Sequence, residues 1–173
     1  GIDKFNKSQG KFMNRFRYKH NPYPNIGQFI STLRENTPEK LQYLITDTFE
    51  KITLYENKAK SAKATENLDG TYSLHLEVEA KKVYSDSLGV QTTATLNDWL
   101  EIGVIAEKII DGNKQEVPIY VQKVFITDSL STFDIKLEEK PFKAGIDPLC
   151  KFVDRDLKDN LMKVSFELSE SKI

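Results

Sequence analysis

The apolar residues of this chain change their period near Lys51, and that change limits what the polypeptide can build more than any other feature. Before it, Ile26, Phe29, Ile30 and Leu33, and then Leu41, Leu44 and Ile45, fall at the spacing that gathers side chains on one face of a helix. After it, apolar and polar residues alternate. Lys51-Ile-Thr-Leu-Tyr-Glu56 does so, and Tyr72, Leu74, Leu76, Val78 and Ala80 are interleaved with Ser73, His75, Glu77, Glu79 and Lys81. A period of two describes a strand with one buried face. It returns in Leu100, Ile102, Val104 and Ala106, in Phe133, Ile135 and Leu137, and in Val164, Phe166 and Leu168. Asn67-Leu-Asp-Gly70, Asp111-Gly-Asn113 and Asp128-Ser129 supply turns between them. Six or seven short strands without intervening helices predict a mainly β chain, an immunoglobulin-like antiparallel β-sandwich preceded by a small helical segment. Residues 1–48 read as the helical segment and 49–173 as the sandwich domain.

Local signals refine this outline. Asn21-Pro22-Tyr23-Pro24 stops any helix, because proline disfavours helical geometry in the residue before it, and predicts a rigid elbow. Asn25 is placed to accept backbone hydrogen bonds at the start of the next helix. Thr37 as cap and Pro38 as first helical residue announce another, and the two predict a helical hairpin. After Lys81 the apolar phase slips by one, since Val83 would otherwise face water, which predicts a β-bulge near Lys81-Lys82. Trp99 reads as a core or sheet-edge anchor.

The first twenty residues hold Lys4, Lys7, Lys11, Arg15, Arg17 and Lys19 against Asp3 alone, with Phe5, Phe12 and Phe16 interleaved. A basic amphipathic segment of this kind can touch membrane or nucleic acid. The plainer expectation is a helix whose aromatic side packs on a neighbouring domain, because a surface built for polyanions recurs across a domain. The net charge of -1 gives no global field for nucleic acid. No window is long and apolar enough to span a bilayer, so the chain reads as a soluble piece with no direct membrane insertion. It opens on Gly1 rather than Met and reads as part of a longer protein.

The inventory of reactive groups is short. Cys150 is the one cysteine, which excludes an intrachain disulfide and reads as a small filler. His20 and His75 stand in unrelated contexts, His75 on the polar side of a strand, and do not assemble the three ligands of a catalytic zinc. Nucleophile elbow, phosphate-cradling glycine loop and paired thiols are missing from the sequence. No catalytic, cofactor-binding or metal-ligating residue is therefore assigned. The nearest thing to a site is a structural or interaction loop made of Gly145, Asp147, Pro148, Asp154, Arg155, Asp159 and Asn160. Its acids could gather around calcium, but the spacing matches no calcium loop and Lys151, Arg155 and Lys158 interrupt it. A loop knit by carboxylate-to-backbone hydrogen bonds and an Arg155 ion pair is expected, with Gly145 allowing an unusual backbone angle and Pro148 stiffening the chain.

Several strings carry a resemblance over roughly residues 14–164. They are Asn21-Pro-Tyr-Pro24, the run from Thr37 to Asn57, Leu96-Asn-Asp-Trp-Leu-Glu-Ile-Gly-Val104, and Lys143-Ala-Gly-Ile-Asp-Pro148 with Val153-Asp-Arg155. In combination they resemble the C-terminal region of large Bacteroidetes membrane proteins that join a transporter-permease-like half to a zinc aminopeptidase half of the gluzincin, membrane alanyl aminopeptidase-like class. The resemblance implies a zinc metalloaminopeptidase parent with this piece downstream of its zinc-bearing domain. The two-histidine helix and distal glutamate of that class have no counterpart here. The implied role is a non-catalytic accessory domain supporting the peptidase domain or its substrate cleft, with that upstream domain as partner and no cofactor of its own. The implied location is a soluble domain on the periplasmic side of a membrane-anchored protein. The alternative is a protein- or peptide-binding β-sandwich module of a transporter-associated membrane protein.

Overall fold

The computed structural model describes residues 2–20 and 23–167. Asn21 and Pro22 of the expected elbow, and Leu168 of the last expected strand, lie outside the described residues. The chain divides into two compact units, residues 1–53 and 54–173.

The first unit is helical. Helix α1 spans Ile2–Phe16 and helix α2 spans Ile26–Asn36. Asn25 starts α2 with a reciprocal cap, its side chain accepting from the Gln28 N–H at 3.1 Å while the Gln28 side chain accepts from the Asn25 N–H at 3.0 Å. Two aromatic residues of α1 find partners within this unit, Phe12 lying 4.9 Å from Phe16 and meeting Phe29 of α2 edge-on at 5.3 Å, while Phe5 stays 46% exposed. Thr37 and Pro38 do not begin the third helix as expected. Thr37 ends α2 instead, donating its N–H to the Arg34 carbonyl and its hydroxyl to the Leu33 carbonyl. The backbone then runs through a 3-10 turn Glu39–Leu41, a single α-helical turn α3 (Gln42–Ile45) and a π-turn Thr46–Glu50. Arg34 ties this irregular arm to α2, with Gln42 Oε1 at 2.9 Å, Thr46 Oγ1 at 3.0 Å and Glu50 at 2.6 Å. No described helix is long and apolar enough to cross a membrane.

The second unit is mainly β and consists of two sheets. Its strands are β1 (Ile52–Glu66), β2 (Tyr72–Ser85), β3 (Gln91–Ala94), β4 (Asp98–Ile110), β5 (Asn113–Ile126), β6 (Leu130–Leu137), β7 (Lys143–Ile146), β8 (Leu161–Lys163) and β9 (Ser165–Phe166). One sheet runs β3-β2-β1-β9, with β6 also paired to β2; the other runs β5-β4-β7-β8. Nine strands exceed the expected six or seven, and β1, β2, β4 and β5 are long, at 13 to 15 residues. Both sheets feed one apolar cluster, which includes Leu74, Leu76 and Val78 of β2 facing Leu100, Ile102 and Val104 of β4, so the arrangement is sandwich-like. One pair departs from the antiparallel scheme: β9 lies parallel to β1, Lys63 opposite Ser165. The β4–β5 hairpin turns through Asp111 (φ 51°) and Gly112 (φ 76°), left-handed at both centres as a two-residue loop of this hand requires.

The bulge expected near Lys81-Lys82 is not there. Inward positions run unbroken through Leu74, Leu76, Val78, Ala80 and Lys82, and Lys82 is 3% exposed. Its ammonium lies 2.9 and 3.2 Å from the two carboxylate oxygens of Asp98, itself 2% exposed. A lysine can hold an inward position when a carboxylate meets it there, so the apolar phase alone misplaces it. The register shift occurs instead between Val104 and Ile105. Trp99 is not in the core: it is 44% exposed on β4 with its ring 5.3 Å from Phe125 on β5, at a position where β4 pairs with β5 alone, the β7 pairing starting at Ile102.

Candidate functional site

The candidate loop begins inside a strand. Lys143–Ile146, expected to be loop, forms β7 between β4 and β8. Gly145 does not adopt a left-handed angle. Its requirement is space, since a Cβ there would collide with the Asn160 carbonyl oxygen and sit 2.9 Å from its carbon. That close approach lets the Ile146 N–H reach the Asn160 carbonyl at 2.9 Å. The unusual angle belongs to Asp147, at φ 46°, and again to Cys150, at φ 51° on the exposed outside of the loop.

Asp147 is fully buried and organises the turn. Its N–H donates to the Glu101 carbonyl of β4 at 2.7 Å, and its carboxylate accepts from the Lys151 N–H at 2.9 Å and the Phe152 N–H at 3.1 Å. Pro148 packs directly over Gly103 of β4, where any side chain would strike its ring. Lys151 closes the same side with a 2.7 Å ion pair to Glu101. This end of the loop is therefore fastened to the second sheet.

The other end is fastened to β1 in the first sheet. Phe152 meets Tyr55 edge-on at 4.7 Å, and the Tyr55 N–H donates to the Val153 carbonyl at 2.8 Å. Asp154 accepts from the Asn57 N–H at 2.8 Å and, with its other oxygen, from the Asp156 N–H at 3.1 Å. The buried Asn160 amide faces two acceptors, and oriented with its nitrogen toward them it donates to Asp154 at 3.2 Å and to the Asn57 carbonyl at 2.9 Å. The Ala59 N–H donates to the Asp159 carbonyl at 2.8 Å. Arg155 pairs with Glu56 at 3.3 Å and Lys58 with Asp159 at 3.5 Å, both at the surface where such pairs contribute little. Gly145, Asp147, Pro148, Asp154, Arg155, Asp159 and Asn160 thus lie in one continuous clasp that joins the two sheets.

This arrangement bears directly on chemistry. Each oxygen of the Asp147 and Asp154 carboxylates already accepts from a backbone N–H, and one oxygen of Asp156 accepts from the Lys158 N–H at 3.1 Å. A metal at these carboxylates would compete with those bonds for the same oxygens. His75 Nδ1 lies 2.7 Å from an Asp134 carboxylate oxygen on an exposed sheet face, while His20 belongs to the other unit. Among the described residues no group of three or more His, Cys, Asp or Glu side chains is placed to hold a metal ion. The zinc implied for the parent therefore finds no fitting set of ligands among the described side chains. Asn57 and Glu101, which no local sequence pattern marks, anchor the clasp from β1 and β4. Asn57 is 2% exposed with both polar atoms of its side chain lacking a hydrogen bond, although its backbone serves Asp154 and Asn160. Comparison of the chain with family models, curated proteins and solved structures found no match.

Proposed function

We propose that this chain is a non-catalytic accessory domain on the C-terminal side of a membrane-anchored zinc aminopeptidase, lying on the periplasmic side and supporting the peptidase domain. Two of the strings that resemble such proteins, Lys143-Ala-Gly-Ile-Asp-Pro148 and Val153-Asp-Arg155, fall in the clasp. One observation carries the reading: the clasp commits its buried carboxylates to backbone N–H groups, which is the chemistry of a structural fastening rather than of proton transfer or ligation. The purified chain is expected to bind no stoichiometric zinc and to leave an aminoacyl reporter uncleaved. Turnover or stoichiometric zinc in the chain alone overturns the reading. In the parent, the Asp147→Ala, Asp154→Ala double variant is expected to retain zinc while losing activity faster on warming; unchanged thermal inactivation argues against a supporting role.

A second reading, a protein- or peptide-binding module, draws on the exposed Trp99 and Phe125 pair with the half-exposed Val121 on β5. Deleting residues 54–173 from the parent separates the two. Loss of peptidase activity favours support, whereas intact activity with loss of a bound partner favours recognition.

A further inference from the structure

The helical unit carries a groove of about 490 Å³ walled by the first turns of α1, the end of α2 and the irregular arm 38–49. Its lining is dominated by Phe5, Leu33, Leu41, Leu44 and Phe49, of which Phe5, Leu44 and Phe49 stand substantially open to solvent. Among the described residues Lys4 and Lys40 are the only charged ones in the lining, and no carboxylate lines it. The positive character extends beyond the rim. Lys4, Lys7, Lys11 and Arg15 recur at three- and four-residue steps along α1, and Lys11 hydrogen-bonds Asn36, another lining residue. Residues 1–53 hold nine Lys and Arg against five Asp and Glu, in a chain whose net charge is -1.

We propose that this groove receives an amphipathic α-helix with an apolar stripe and an acidic flank. The apolar stripe would fill the space between Leu33, Leu41, Leu44 and Phe49, as helix-in-groove recognition does with anchors spaced three and four residues apart. The acidic flank would face Lys4, Lys40 and the basic stripe of α1, and this charge match sets orientation and partner choice more than affinity. Concavity separates a helix from an anionic bilayer: a membrane plane meets protruding side chains, whereas a walled groove accepts a rod. The inference goes beyond the accessory reading and does not rest on it: the occupant is a helix of a separate partner polypeptide, presented in trans.

The test uses the 173-residue chain, isotope-labelled for NMR, and a synthetic four-turn helix with leucine at the i, i+3, i+4 and i+7 positions and glutamate on its flanks. A copy with lysine in place of each glutamate and phosphatidylcholine vesicles containing phosphatidylglycerol serve as the other arms. The glutamate peptide is expected to shift the amide resonances of Leu33, Leu41, Leu44 and Phe49 and to bind about tenfold or more tightly than the lysine peptide. Lys4→Glu with Lys40→Glu should reverse that preference, and Leu44→Glu should abolish binding with the melting temperature held. Equal binding of the two peptides, shifts outside the groove, no shift at saturating peptide, or loss of groove resonances on the anionic vesicles would each overturn the proposal.

Discussion

Lys82 and Asp98 face each other within the sandwich at 2.9 Å, at 3% and 2% exposure. Removing either member strands the other as a buried charge, so Lys82→Met alone is expected to cost about 3–5 kcal/mol. The double change Lys82→Met with Asp98→Leu should recover most or all of that loss, because it also removes the cost of keeping two charges from water. Urea melts of the two single variants and the double variant check this; a double variant no more stable than either single would contradict it.

Gly145 gives a sharper prediction, because its neighbour is backbone rather than a flexible side chain. Gly145→Ala has to separate β7 from Asn160 and should cost about 3 kcal/mol or more. Gly103→Ala presses on the Pro148 ring and should cost about 1–3 kcal/mol. A thermal melt of each suffices, and an unaffected Gly145→Ala protein would show that the approach is not required.

For the clasp itself, Asp147→Ala removes the acceptor of two buried N–H groups and leaves alanine at a left-handed angle. A loss of about 3 kcal/mol is expected. Limited proteolysis should cut the variant between residues 147 and 160 before any other site; cleavage elsewhere first would mean that Asp147 does not hold the loop.

One acid carries a defined pH dependence. The Thr71 hydroxyl, then its N–H, then the Lys136 ammonium hold the Asp69 carboxyl down at about 2, from an ordinary 3.8. A depressed carboxyl favours the fold above its unfolded value, and that contribution disappears as pH falls from near 3.8 through about 2. NMR titration should place the Asp69 midpoint near 2, and Asp69→Asn should lower the melting temperature at pH 5 but not at the acid end of this window. An Asp69 midpoint near 3.8 would refute the assignment.

Local chemistry made part of this structure readable in advance. The Asp111-Gly112 hairpin and the Asn25 cap depend on residues adjacent in sequence, and their backbone requirements are nearly unique to those residue types. Lys82 was misread because alternation registers polarity and cannot see that Asp98 waits across the fold. β5 escaped because Lys114, Gln115 and Glu116 open it without an apolar phase, and β7 because Gly145 and the nearby Pro148 look like punctuation. The loop residues stood out by composition, but their anchors Asn57 and Glu101 lie 97 and 50 residues away from the partners they hold. No local pattern encodes such distances.

The parallel pairing of β9 with β1 and the clasp beside it place the last described residues against some of the first strand's. A nascent chain leaving the ribosome therefore carries β1 with one flank unmatched until residues as far as Phe166 have emerged, about 100 residues after β1 itself, and the interval exposes a strand edge to other chains. Synthesis stopped before Asp154 would release a product with that flank permanently bare.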